Sequence, residues 1–376
     1  MHILFHRPTP WSSSINCSTK IYTRLFAESG YEVSYLQANI HLLHRLLKKG
    51  YYQVWKEGAR FDQGVWVCGG LSLLPYTEQV PLKIPSLSAM SYRWCIPSLR
   101  KVVMRSGFEQ PDLIWTTVPG SSSLKALFPK AKLVFHSIDN YAAFQGSSVE
   151  KILAKDYERA DHIFVIGESI RQDIMSIHGI DRSKITNLGQ GVDLGGYKGV
   201  IDPPKDLEGI EGPMAIWVGV LKKLDLDYLK AVLVAMKKRG GTVVLIGPVI
   251  AECERLAQEY DNLVLLGSRN ADEIPAYLSQ ADIGLMIYDR KKQDVYRGQH
   301  PLKLYEYAAA GLPIISTWHQ EFQYLKPPII NLAPGDDMDE IVAKALGADR
   351  SFRNSIREFA MDHSWERCKD VAIKTL

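Results

Sequence analysis

The apolar positions of the chain fall into two series of short runs, separated by stretches with helical spacing. The first series is His2–Phe5, Tyr31–Leu36, Gly64–Val67, Leu113–Val118, Leu133–Ile138 and His162–Ile166. Each run is short, β-rich and bounded by turn residues, the pattern of strands buried in a parallel sheet. Helical stretches lie between them: Asn16–Ser29, which Gly30 ends, then Lys151–Ala160 and Glu168–Ser176. A second series follows at Ala215–Val220, Thr242–Ile246, Leu263–Leu266, Ile283–Ile287, Ile314–Ser316 and Ile329–Leu332. Its predicted helices are Leu226–Lys238, Ala251–Tyr260, Asp272–Gln280, Leu302–Ala310 and Met338–Leu346. Strands alternating with helices predict doubly wound α/β domains. Between the series, Asp202-Pro203-Pro204-Lys205-Asp206 to Glu211-Gly212-Pro213 collects prolines, glycines and charges and marks a boundary. The expected domains are residues 1–200 and 213–360, with a helical tail over 361–376.

Composition agrees with two globular domains: 376 residues, 46% hydrophobic and 23% charged. The five cysteines are scattered without metal-ligand spacing and are expected to be reduced thiols. The opening Met1-His2-Ile3-Leu4-Phe5 run is too short for a signal peptide, and no apolar run approaches the roughly 20 residues of a membrane span. A cytoplasmic protein is expected, with any membrane contact peripheral. The net charge of +3 hides an asymmetry. Residues 1–200 hold 23 Lys/Arg against 16 Asp/Glu, about +7, and the remainder 22 against 26, about −4. Two basic stretches, His41–Trp55 and Ser91–Arg105, interleave cations with leucines and aromatics. They suit either an anionic membrane surface or ordinary sheet-covering helices. No helix-turn-helix, zinc or RNP-like motif points to nucleic acid.

Ligands of open α/β sheets sit beyond the carboxyl ends of the strands. In the first half this selects the Ser12-Ser13-Ser14 loop and the segment His136-Ser137-Ile138-Asp139-Asn140-Tyr141. A carboxylate at the position of Asp139 is placed to act as a general base, or else to cap the next turn; His136 is the alternative base. In the second half the rule selects Gly219, Gly247-Pro248, Gly267-Ser268-Arg269 and Tyr288. The stretch His300-Pro301-Leu302-Lys303-Leu304-Tyr305-Glu306-Tyr307 then reads as a loop and a helix that Gly311 stops. Pro301 fits the first helical position, and Leu302, Tyr305 and Ala309 share a face. Lys303 and Glu306 are three apart and adjacent on the helix surface. A cation in the first turn opposes the helix dipole unless an anion also comes there. The pair is therefore either a diphosphate and ribose site or a surface ion pair.

The Pro301–Thr317 stretch resembles the nucleotide-sugar signature of GT-B glycosyltransferases, a Pro-x-Lys-x-x-Glu-Tyr helix before a Gly-x-Pro-hydrophobic strand. The 136–144 segment is similar to a loop of bacterial polysaccharide glycosyltransferases akin to the xanthan glucuronosyltransferase family. Asp139 matches the position of the catalytic base there, while Asn140 stands where that loop has a second acid. The resemblance implies two Rossmann-like domains facing a cleft, with a C-terminal helix, anchored by Trp365, crossing back to the first. It implies a metal-independent hexosyl transfer, with no cofactor, in surface-polysaccharide biosynthesis. The nucleotide-diphosphate sugar would be held by Gly219, Ser268, Arg269, Tyr288, His300, Leu302, Lys303 and Glu306. A saccharide acceptor, lipid-linked in such pathways, would meet the first domain and its base Asp139, at the inner face of the membrane. A sugar-nucleotide epimerase and a non-catalytic subunit of the same fold are the alternatives.

Overall fold

A computed structural model describes residues 1–13, 17–37, 40–41, 59–72, 92–104, 110–142, 146–199, 202–292, 296 and 300–376. The chain divides into two compact units, Met1–Gly189 with Lys369–Leu376, and Gln190–Cys368. Among the described residues no helix is long and apolar enough to cross a membrane.

The strands of the first unit are β1 (His2–His6), β2 (Glu32–Leu36), β3 (Ile40–His41), β4 (Arg60–Asp62), β5 (Val65–Cys68), β6 (Leu71–Ser72), β7 (Cys95–Ile96), β8 (Leu113–Thr116), β9 (Lys132–Ser137), β10 (His162–Val165) and β11 (Ile185–Asn187). Eight of them form one sheet in the order β11-β10-β9-β8-β1-β2-β5-β4, and β3, β6 and β7 form a small second sheet. In the large sheet every pairing is parallel except β4 with β5. The sequence pattern missed β4 because Arg60-Phe61-Asp62 carries a single apolar side chain, and that one is exposed. On one face of the sheet Trp115 packs against Phe5, Tyr22, Phe26 and Phe164, with ring centroids 4.8–5.9 Å apart. Aromatic burial of this kind dominates the energetics of a core.

The second unit holds β12 (Met214–Val218), β13 (Thr242–Ile246), β14 (Leu263–Gly267), β15 (Ile283–Met286), β16 (Ile314–Thr317) and β17 (Ile330–Leu332). They form one all-parallel sheet in the order β14-β13-β12-β15-β16-β17. This is the strand order 3-2-1-4-5-6 of the classic dinucleotide-binding fold. The expected strands and helices are present, with ends shifted by a few residues: Val220 and Ile287 fall in turns, and Pro301 is the N-cap of the Leu302–Ala310 helix rather than its first residue. The buried residues of that helix are Lys303, Leu304, Tyr305, Tyr307 and Ala308. Of the face predicted from Leu302, Tyr305 and Ala309, Tyr305 is fully buried while Leu302 and Ala309 are half-buried.

Both units tie the central strand pair at its amino end in the same way. The Asp112 carboxylate accepts from His2 N at 2.8 Å, and that of Asp282 from Met214 N at 2.8 Å. Each aspartate directly precedes the neighbouring strand and so fixes register where the chain enters the sheet. At the carboxyl end the constraint is space. Gly219 N donates to Ile246 O at 2.8 Å, and Gly247 N to Gly267 O at 2.9 Å. Gly247 has φ +151°, and a Cβ there would fall on the Gly219 carbonyl oxygen. Gly247→Ala should accordingly lower stability by roughly 1–3 kcal/mol or more, since neither backbone can yield freely. An unchanged urea midpoint would show that the two strand ends do not approach as described.

Candidate active site

In the second unit the strand order reverses between β12 and β15, so the ligand position predicted by the fold lies beyond Val218 and Met286. The Leu302–Ala310 helix brings its first turn there. It starts without a side-chain cap and without an acidic residue in that turn; Leu304 N donates to Pro301 O at 3.1 Å, which leaves the amides of Leu302 and Lys303 for another acceptor. Its second residue, Lys303, is 9% exposed. The Lys303 Nζ lies 3.2 Å from the centroid of the Trp217 ring and 4.8 Å from that of Tyr288. A Cβ at Gly219 would make only an ordinary contact with the same nitrogen, at 3.4 Å, and it is the backbone φ of +127° that calls for glycine there.

Burial, together with the positive charge of Lys223, holds the Lys303 pKa well below the usual lysine range; Glu306 acts in the opposite sense. Burial raises the Glu306 pKa while Lys303 pulls it back. The surface ion pair is thus ruled out for Lys303: its charge is taken from water and lies against aromatic faces. The hydroxyl of Tyr307, four residues and so about one turn after Lys303 on the same helix, accepts from Val218 N at 2.9 Å and locks the helix to the end of β12. Its ring occupies the space that Gly284 leaves, where a Cβ would come within 2.5 Å of Cδ2.

Tyr288 is buried edge-on to Trp217, Tyr296 and His319 at centroid distances of 5.2, 5.2 and 4.8 Å. Its backbone N donates to Thr317 Oγ1 at 3.1 Å, which ties the end of β15 to the end of β16. His300 is buried and its Nε2 pairs with the Tyr305 hydroxyl. Arg290 forms an ion pair with Asp225 at 2.8 Å, and its guanidinium lies 4.0 Å from the Tyr228 ring centroid. Arg297 lies outside the described residues.

The structure therefore gathers Gly219, Tyr288, Leu302, Lys303 and Glu306, with His300 behind the helix start. It places Ser268 and Arg269 in a different set of contacts. Arg269 donates to Asp206 Oδ2 at 2.5 Å, to the Tyr277 hydroxyl at 2.8 Å, to Ser268 O at 3.1 Å and to Leu266 O. Three residues of the gathered group were missed from sequence: Trp217, Lys223 and His319. Asking which polar residues follow each strand would have raised His319, two positions after β16. Trp217 carried no such signal, because an apolar residue inside a buried strand reads as core.

In the first unit the reversal lies between β1 and β8. Arg7, just past β1, donates through Nη1 to Thr117 Oγ1 at 3.0 Å. The Tyr141 hydroxyl donates to Thr117 O at 2.6 Å, and both Arg7 and Asp139 act electrostatically on that hydroxyl. Asp139 is half-buried and follows β9 by two residues. His136 is elsewhere: it is fully buried in the core, accepts from Trp115 Nε1 at 3.3 Å through Nδ1, and burial followed by Arg7 lowers its pKa to about 3. A base so enclosed cannot meet a saccharide without opening the core, which leaves Asp139 as the better placed of the two candidates. Of the serine loop, Ser13 accepts from Lys20 Nζ at 2.7 Å through its carbonyl, and Ser14 lies outside the described residues.

Comparison with known proteins now decides the class. Residues 212–347 match the family model of Glycosyl transferases group 1. These residues form a group 1 glycosyl transferase domain. The chain is also similar to TuaH of Bacillus subtilis strain 168, whose name gives it the provisional role of a teichuronic acid biosynthesis glycosyltransferase; identity is 25% over 293 residues, 72% of each chain. Among solved structures, α,α-trehalose 6-phosphate synthase from Burkholderia multivorans superposes with a TM-score of 0.69 at 12% identity, covering 99% of this chain and 97% of its own. Sucrose-phosphate synthase from Thermosynechococcus elongatus gives 0.69 at 14%, covering 99% and 97%. Anabaena HepE, solved in complex with UDP and glucose, gives 0.66 at 12%, covering 100% and 99%. The glycosyl transferase domain thus sits in a chain with the GT-B fold throughout, and the chain is a glycosyltransferase.

Lys303 supplies the prediction. Lys303→Ala should weaken UDP or GDP binding by roughly 1.5–3 kcal/mol, the range of a charge-assisted contact, and affect the free nucleoside much less. A diphosphate favours the ammonium form of Lys303. Affinity should therefore be highest while the free protein keeps that proton, and fall as pH rises through the depressed Lys303 value. Calorimetry from about pH 7 to about pH 10 measures this. A wild-type affinity that is flat over that range, or a mutant that binds UDP and GDP as well as wild type, removes Lys303 from the site.

Proposed function

We propose that the protein transfers a hexosyl group from a nucleotide-diphosphate sugar to a hydroxyl of a saccharide acceptor during assembly of a bacterial surface polysaccharide. The buried Lys303 amine, at an uncapped helix start beside Glu306, is the observation that carries the reading. In this arrangement a leaving diphosphate would meet Lys303 and the free amide groups of the first turn, which offset its charge as the bond to C1 breaks. Glu306, one turn deeper, accepts from ribose hydroxyls. The charge offset comes from the chain itself, so we expect transfer without a divalent metal, checked by full activity in excess chelator. The similarity to TuaH supports the surface-polysaccharide setting.

Asp139 is the proposed base, removing the acceptor proton as its oxygen attacks C1. Loss of a general base costs about 10²–10⁴-fold in rate. Asp139→Asn keeps the shape and removes the basicity. It should lose most transfer while binding the donor like wild type, because the donor residues belong to the other unit. Near wild-type transfer would give the role to another residue, and an unfolded mutant would make Asp139 structural.

A lipid-linked acceptor calls for a protein that works at the inner face of the membrane. Support comes from the 92–104 segment, where Trp94 and Ile96 are 49% and 58% exposed beside the exposed Arg93, Arg100 and Lys101. Apolar side chains flanked by cations fit an anionic bilayer surface. The other basic stretch, residues 42–55 above all, lies outside the described residues. Binding to vesicles containing anionic lipid should exceed binding to neutral vesicles, fall with salt, and drop on R100E/K101E substitution. Equal binding to both vesicle types would return these residues to an ordinary solvated surface.

A further inference from the structure

His319 has no role in the reading so far, yet it sits against the donor residues. It is 3% exposed, its ring edge-on to Tyr288 at 4.8 Å and beside Phe322 at 5.0 Å. Among the described buried histidines it alone has neither ring nitrogen hydrogen-bonded. His2 meets Ser34, His6 meets Thr116, His136 meets Trp115 and His300 meets Tyr305. Burying two polar nitrogens without partners is costly, so a buried imidazole in this state calls for a partner that arrives later.

The surroundings say which partner. Burial, followed by the electrostatic effects of Lys303, His300 and Lys223, lowers the His319 pKa to about 3. The imidazole is therefore neutral in the free protein, with one nitrogen donating and the other accepting. A phosphate oxygen only accepts, and would leave one nitrogen unmet. Neighbouring hydroxyls, each able to donate or accept, can meet one nitrogen as acceptor and the other as donor. Of those charges Lys303, the proposed diphosphate cation, acts most strongly on His319, which places the imidazole by the diphosphate part of the site. The group beyond a diphosphate on the side away from ribose is the sugar.

We propose that His319 reads the transferred sugar, its neutral imidazole hydrogen-bonding to sugar hydroxyls next to the diphosphate. This rests on the donor-site reading of Lys303 and Glu306. It makes His319 a determinant of which sugar the enzyme accepts, separate from the groups that hold the nucleotide.

The test compares wild type, His319→Phe and His319→Gln by calorimetry. The probes are the best-bound member of a panel of UDP- and GDP-linked hexoses and hexuronates, and its own nucleoside diphosphate. Wild type should bind the nucleotide sugar more tightly than the diphosphate. In H319F that advantage should fall roughly tenfold, one hydrogen bond's worth, with diphosphate affinity unchanged. The melting temperature of ligand-free H319F should not drop, because an unpartnered polar ring has been replaced by an apolar one. H319Q, which can donate and accept, should recover part of the preference. The inference is overturned if H319F keeps the sugar preference, or if it loses both ligands equally with a lowered melting temperature, which would make His319 a packing residue. If wild type binds no nucleotide at all, the donor-site reading itself fails.

Discussion

The second unit is organised around a lysine amine kept out of water. Lys303 lies over the face of Trp217 with Tyr288 beside it, and much of the nearby chain can be understood as making that position possible. Gly219 borders the amine, and its unusual φ of +127° is available only because it has no side chain. The close approach of Gly247 fixes the Gly219 carbonyl, and that carbonyl accepts from Trp217 Nε1 at 3.3 Å, setting the ring under the amine. Tyr307 holds the helix to β12, and Gly284 makes room for Tyr307. Aromatic faces return only part of the hydration that a buried charge loses. The uncompensated part would favour the binding of an anion at this point.

The two units show one design at two levels of commitment. Each has a parallel sheet that reverses order at its central strand pair, with an aspartate clamp at the amino end of that pair. Each also places a basic side chain just past the carboxyl ends. In the first unit Arg7 is half-buried and already donates to Thr117, and two neutral histidines, His6 and His136, lie within its field. In the second the cation is buried on aromatic faces with Lys223 nearby. A guanidinium that keeps some water and a hydrogen bond suits a varied acceptor. A desolvated amine suits a fixed, highly charged diphosphate.

The fold was legible in the sequence because buried parallel strands leave continuous apolar runs, and both predicted series correspond to strands of the two sheets. β4 was not legible, since an edge strand of three residues with one exposed aromatic carries no such run. The candidate site was legible where local spacing carries the chemistry, as with Lys303 and Glu306 on one helix. It was ambiguous where the decisive quantity is burial. Spacing alone left Lys303 open between a surface ion pair and an anion site, and its burial against Trp217 could be read only from the tertiary structure. Arg269 shows the reverse: its position after β14 suggested ligand contact, but Asp206 from the boundary segment and Tyr277 from a following helix take its donors. No local pattern could show partners 63 and 8 residues away.

The distribution of satisfied and unsatisfied groups separates the two ends of the second sheet. At the amino end Met214 N meets Asp282, Thr242 N meets Pro213 O and Val243 N meets Asn262 O, so strand entry is tied by hydrogen bonds between segments distant in sequence. At the carboxyl end a helix starts uncapped, a lysine is held without full hydration, and a histidine has both nitrogens unmet. Folding alone would not collect these three costs at one edge. A protein gains nothing from an open helix start beside a desolvated cation unless something else completes them. The three also differ in what would complete them. Amides and an ammonium ask for an anion, whereas a neutral imidazole asks for a group that donates as well as accepts. A sugar esterified to a diphosphate carries both kinds in one molecule. The same edge can therefore separate the affinity for a nucleotide, set by charge, from the choice of sugar, set by hydrogen-bond direction.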